Sequence, residues 1–103
     1  MANGTTRLRN EQGSEYQAER GFWARALVLA HDYGWRPELL RMSYLAPNTV
    51  ISAEDAQNMR SALDSLFERA LRDPASVFPI PVDIGELDRL RQFIASGEIG
   101  VAD

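Results

Sequence analysis

Apolar and polar positions alternate at the start of the chain. Leu8 lies between Arg7 and Arg9, and residues 14–19 repeat the alternation around a tyrosine and an alanine. A period of two residues is typical of a strand with one buried face. Residues 10–13, between the two stretches, are rich in turn formers and end in glycine. The pattern therefore predicts an N-terminal β-hairpin.

Residues 21–33 change to a helical period, with apolar side chains in two adjacent stripes and one charge within the apolar run. A surface that is apolar over so wide an arc predicts a helix buried on most sides. Gly34 suits the left-handed position that follows a helix, and Trp35 then falls where it can fold back over the last turn. Pro37 stops the helix from resuming. We expect Trp35 to cover the core.

Residues 52–72 predict the longest helix. Ser52 is a favourable N-cap, and Glu54 and Asp55 supply negative charge to the first turn. Asp55 occupies the position from which an acidic side chain can return the cap hydrogen bond. Apolar residues follow at helical spacing until Pro74 ends the pattern. This helix is expected to be the spine of the fold.

The remaining segments are shorter. Residues 38–44 predict a helical turn or an irregular crossing, and the β-branched run 49–51 predicts an edge strand. A third amphipathic helix is expected to end at Gly97, and residues 98–101 suggest a short terminal strand. Together, these predicted strands and helices indicate one α+β domain over residues 1–103, in which a small antiparallel sheet packs against two or three helices. Residues 1–4 are read as a loose terminus and residues 73–82 as a proline-containing linker.

Three motifs in this chain resemble a group of small bacterial proteins of unknown function. The motifs are Gly21-Phe22-Trp23, Tyr33-Gly34-Trp35-Arg36-Pro37 and Ile51-Ser52-Ala53-Glu54-Asp55-Ala56. The resemblance spans most of the chain and implies an α+β fold. It implies no activity, because its motifs are helix starts and helix ends.

Composition narrows the classes of function. The chain has 103 residues, 45% of them hydrophobic and 25% charged, which is ordinary for a globular domain. It contains no cysteine, and all 11 basic residues are arginine. Thiolate chemistry, disulfides and lysine-dependent phosphate loops are thereby excluded. Neither a secretory signal nor an apolar run that could cross a bilayer is evident, so we expect a cytoplasmic protein with no membrane association.

Catalysis has little support in the sequence. His31 is the only histidine, and it falls in the last turn of the first helix, where a positive charge complements the helix dipole. One histidine and dispersed acids predict no metal site and no cofactor. We therefore expect a protein that is not an enzyme, with a minor enzyme using His31 as the weakest hypothesis.

The candidate binding residues are Arg7, Arg9, Trp35, Asp64 and Glu68. The formal charge of −4 favours a non-catalytic protein-binding module, immunity- or inhibitor-like, that covers a basic surface. Its partner would be another protein or a second copy, held through the hairpin edge or the long helix. The alternative is a dimeric nucleic-acid-binding regulator that uses Arg7 and Arg9 on the first strand. Nucleic acid is the less favoured partner because phosphate contacts need a concentrated basic face.

Overall fold

The computed structural model describes residues 4–73, 75, 84–94 and 97–101. Along the chain, the elements are β1 (Thr5–Asn10), β2 (Glu15–Glu19), α1 (Arg20–Asp32), a 3₁₀ turn (Arg41–Leu45), β3 (Thr49–Ile51), α2 (Ala53–Arg72), α3 (Ile84–Ile94) and β4 (Ile99–Val101). The predicted α+β class is confirmed. The expectations for the first three residues and for nearly all of the linker fall outside the described residues.

The strands form one antiparallel sheet in the order β2-β1-β4-β3. The hairpin β1–β2 forms as predicted, with Leu8 opposite Tyr16 and Arg9 opposite Glu15. The terminal strand β4 also forms, and it lies in the interior of the sheet between β1 and β3. Residues from the two ends of the chain are therefore neighbours, and β3 becomes an edge strand.

The helices pack on one face of this sheet. Leu8, Ile51, Ile99 and Val101 point toward them and are almost completely buried. The opposite face carries the alternate residues of the strands, which are exposed or partly exposed. The molecule thus has two layers in the described residues, with apolar side chains between them and one sheet face open to solvent.

Helix α1 ends as its sequence predicts. Gly34 adopts a φ of 106°, its N–H donates to the carbonyl of His31 at 3.2 Å, and the N–H of Trp35 donates to Ala30 at 3.0 Å. This pair of bonds is the Schellman arrangement. It turns the chain back over the helix, and the Trp35 side chain is 1% exposed.

Helix α2 also begins as predicted, with one correction. The Ser52 hydroxyl accepts a hydrogen bond from the Asp55 N–H at 3.0 Å, which confirms the N-cap. The Asp55 carboxylate, however, does not return the bond. It is completely buried and accepts hydrogen bonds from Trp35 and Tyr44 instead. Sequence spacing identified the cap but missed these partners, which come from a distant loop.

Candidate functional site

The two candidate arginines lie on the solvent face of the sheet. Arg9 forms an ion pair with Glu15 directly across the hairpin, and this guanidinium holds the pKa of Glu15 below its usual value. Arg7 is half-buried and lies opposite Gln17. Because arginines and glutamates share this face, it does not form the concentrated positive surface that nucleic acid requires.

The two candidate acids lie on the helical layer, away from these arginines. Asp64 is the acceptor for two guanidiniums, from Arg60 at 2.8 Å and from Arg91 at 3.0 Å. Glu68 is exposed one turn further along α2. The charge of Asp64 is therefore compensated within the chain by two arginines.

Trp35 lies in the core, where a partner cannot reach its side chain. The five candidates are therefore distributed over the sheet face, the core and helix α2, and the structure does not bring them into one site. His31 is exposed in the last turn of α1, as the helix-end interpretation expects. Among the described residues, no group of three potential metal ligands is found.

A different set of side chains forms an exposed apolar surface. Leu40 is 81% exposed, Met42 is 80% exposed and Val50 is 55% exposed. We call these three residues the apolar patch. Leu40 and Met42 border or belong to the 3₁₀ turn, which contacts strand β3, where Val50 lies. Single exposed apolar residues are common, but three on two elements that contact each other make this part of the chain a candidate interaction surface.

The loop that carries Leu40 and Met42 is held at both ends by one buried carboxylate. Asp55 accepts a hydrogen bond from the Trp35 indole at 2.8 Å through one oxygen, and from the Tyr44 hydroxyl through the other. The two rings also pack edge to face, with centroids 5.0 Å apart. Burial, together with the Asp55 contact, raises the pKa of Tyr44 to about 12. Residues 36–43 are therefore a loop with two fixed ends.

Further hydrogen bonds order this loop from within. The N–H of Leu39 donates to the Tyr44 hydroxyl at 3.2 Å, and the Ser52 hydroxyl donates to the Glu38 carboxylate at 2.8 Å. The indole of Trp23 donates to the Tyr44 carbonyl at 2.8 Å, which ties the loop to α1. A loop ordered in this way presents Leu40 and Met42 at a lower entropic cost of binding than a free loop would.

Val50 borders a groove on the open face of the sheet. Across the strands, Gly100 lies between Val50 and Arg9, and it has no side chain to fill the space between them. The resulting groove has a volume of about 300 Å³. Of the three patch residues, Val50 lines this groove.

The backbone of β3 adds a second feature. Within the described part of the chain, β3 pairs with β4 on one side and with no strand on the other. An edge strand leaves N–H and C=O groups that can pair with an added strand. Protein chains that bind in this way use backbone hydrogen bonds for affinity and side-chain contacts for selectivity.

Comparison with protein-family models, curated proteins and solved structures finds no match to this chain. The resemblance to the bacterial group therefore stays a prediction, and no activity or partner can be transferred. In the described residues, no helix has both the length and the apolar character needed to cross a bilayer.

Sequence reasoning missed the apolar patch because exposure is not encoded by residue type. Leu40 and Met42 belong to a segment predicted as a turn or a crossing, and their apolar character is equally compatible with a buried position. The one usable signal is that Arg41 separates them, so the segment has no uninterrupted apolar run.

Proposed function

We propose that this chain is a non-catalytic protein-binding module whose binding surface is the apolar patch and the free side of β3. The observation that carries the proposal is the exposure of Leu40 and Met42 in the loop and of Val50 in β3, a strand that pairs on one side only among the described residues. Immunity and inhibitor proteins are the narrower class that we propose for such a module. The formal charge of −4 favours a basic partner surface, whereas the local positive charge of Arg41 at the patch favours an acidic segment.

The partner that fits this surface is an extended segment of another protein with apolar and acidic side chains. The apolar side chains would cover the patch, and backbone groups would extend the sheet at β3. Arg41, between the two most exposed apolar side chains, has no hydrogen-bond or ion-pair partner among the described residues. An acidic side chain on the partner would supply one.

A second copy of the chain fits less well. In a symmetric dimer the same surface contacts itself, so two copies of the patch would bring two Arg41 side chains together. Like charges at an interface oppose association. The charge at the patch therefore favours a different, acidic partner.

The test is a titration of the isotopically labelled chain with a short peptide that alternates valine and aspartate, followed by nuclear magnetic resonance. A peptide that alternates valine and arginine is the matched control. We expect the acidic peptide to shift amide signals of residues 39–51 and the basic peptide to bind about tenfold more weakly, or not at all.

The double variant Leu40→Ser/Met42→Ser should bind the acidic peptide about tenfold or more weakly, since exposed apolar anchors dominate such interfaces. Leu71→Ser is the matched control, because Leu71 is 59% exposed at the end of α2 and outside the patch. Equal effects of the two changes would contradict the proposal.

Two other outcomes would also contradict it. If the unchanged chain sediments as a dimer and the double serine variant sediments as a monomer, the patch is the interface with a second copy. Binding of duplex DNA at low salt that Arg9→Gln abolishes, and that the double serine variant leaves unchanged, would instead favour the nucleic-acid alternative.

A further inference from the structure

A second site lies where the chain leaves α1 and passes α2. It is a cleft of about 350 Å³, lined by Tyr33, Gly34, Arg36, Asn58, Ser61, Ala62 and Ser65. Every polar side chain in this lining can donate a hydrogen bond, and none of the lining residues is a carboxylate. The lining of the cleft therefore has one positive charge, several hydrogen-bonding groups and no negative charge.

Arg36 supplies the positive charge. No hydrogen bond or ion pair to its guanidinium is found within the described residues. Its backbone is fixed, because the preceding Trp35 is buried and the following Pro37 restricts the chain. The left-handed turn at Gly34 directs this segment across α2. An unpaired guanidinium can donate two parallel hydrogen bonds to a carboxylate or phosphate oxygen pair.

Helix α2 supplies the other wall. Asn58, Ser61 and Ser65 follow one another at helical spacing and are all exposed, while Ala62 beside them is buried at 4% exposure. Asparagine and serine are poor helix formers, and exposed positions inside a helix usually favour alanine or long charged residues. Three such residues on one stripe that lines a cleft indicate that hydrogen bonding, rather than helix stability, has determined them.

We infer that this cleft binds a small, singly charged carboxylate ligand that carries hydroxyl groups. Arg36 would bind the carboxylate, and the amide and hydroxyl groups of Asn58, Ser61 and Ser65 would bind the ligand's hydroxyls. A single negative charge is favoured over a doubly charged phosphate for two reasons. One guanidinium is available, and the cleft lies at the C-terminal end of α1, where the helix dipole is negative.

The experiment is a nuclear magnetic resonance titration of the labelled chain with gluconate, acetate, acetamide and inorganic phosphate. Gluconate, which combines a carboxylate with hydroxyls, should bind tightest and shift signals of residues 33–36 and 58–65. Acetamide, the neutral counterpart of acetate, should cause no shift there. Acetamide shifts equal to those of acetate, or phosphate binding tighter than gluconate, would overturn the assignment.

Two sets of variants locate the site. Arg36→Gln should weaken the binding of gluconate by about tenfold, since the substitution removes a charge-assisted hydrogen bond. Arg41→Gln is the control, because Arg41 is also exposed and unpaired among the described residues but lies outside the cleft. If both variants bind gluconate equally well, the cleft is not the site.

The double variant Ser61→Ala/Ser65→Ala should weaken the binding of gluconate by about threefold to tenfold, because it removes two hydrogen-bonding groups. The thermal midpoint of unfolding should stay the same or rise, because alanine favours the helix. Gln57→Ala, at an exposed position of the same helix outside this cleft, should leave gluconate binding unchanged. Weaker binding together with a lower thermal midpoint would indicate a structural role and count against the proposal.

Discussion

Two carboxylates of this chain, Asp55 and Glu15, show how much the surroundings of an acidic side chain decide its role. Asp55 is completely buried and accepts hydrogen bonds from two aromatic side chains that begin and end the loop of the apolar patch. Glu15 lies on the solvent face of the hairpin and pairs with Arg9. The buried group has neutral donors and determines geometry, whereas the exposed group has a full ion pair that water and salt weaken.

The largest effect is expected from Asp55→Ala. The change leaves the Trp35 indole N–H and the Tyr44 hydroxyl buried without their acceptor, which should lower the free energy of unfolding by about 2–4 kcal/mol. Urea denaturation followed by tryptophan fluorescence measures it. Glu54→Ala is the matched control, since Glu54 is an exposed acid in the same helical turn. Similar losses for the two variants would show that first-turn charge, rather than the buried bonds, stabilises this region.

A smaller effect is expected from alkaline pH, through Tyr44. Its pKa is about 12 in the folded chain against an ordinary value of 10.0, so the unfolded chain loses this proton first. The contribution of Tyr44 to the free energy of unfolding is therefore complete below pH 10. It is lost as pH rises from 10 toward 12, by about 2–3 kcal/mol in all.

The chain contains no lysine and no cysteine, so few other groups titrate in that range. Urea midpoints measured from pH 9 to 12 should fall less steeply in Tyr44→Phe than in the unchanged protein. Tyr33→Phe, which removes the hydroxyl of a partly exposed tyrosine, is the matched control. Parallel slopes for the unchanged protein and Tyr44→Phe would rule out this role for Tyr44.

The smallest effect is expected from Arg9→Gln, which breaks the exposed ion pair. Because both side chains are solvated and the pair is screened by salt, the urea midpoint should move within the error of measurement. The pKa of Glu15 should rise toward its ordinary value, which a carboxyl-detected titration would show. A loss of stability comparable to that of Asp55→Ala would erase the contrast between the buried and the exposed carboxylate.

Much of the fold follows from local signals. The hairpin, the glycine-ended α1 with Trp35 turned back over it, and the serine N-cap of α2 all form as their sequences predict. Each of these signals acts within a few residues, so tertiary structure is not needed to interpret it. Asp55, the third residue of α2, shows the limit of local prediction. Its carboxylate accepts hydrogen bonds from Trp35 and Tyr44 and not from the backbone of its own helix turn.

The candidate sites were less predictable. The five residues proposed from the sequence are scattered, because residue type and helical or strand period do not specify which elements become neighbours. The apolar patch depends on where a loop is fixed, and the cleft at Arg36 depends on where that loop crosses α2. Both arrangements result from contacts between residues that are well separated in sequence, and no periodic pattern reports such contacts.

The sequence by itself determined the secondary-structure elements, the helix ends, the α+β class and the absence of cysteine and lysine chemistry. These properties depend on local backbone preferences, on the alternation of apolar residues and on composition. Only the tertiary structure decided that β4 lies between β1 and β3, that Asp55 is buried, and that Leu40 and Met42 remain exposed. The physical reason is that burial is a property of the whole packed chain: an apolar side chain is buried only where other elements leave it a place in the core.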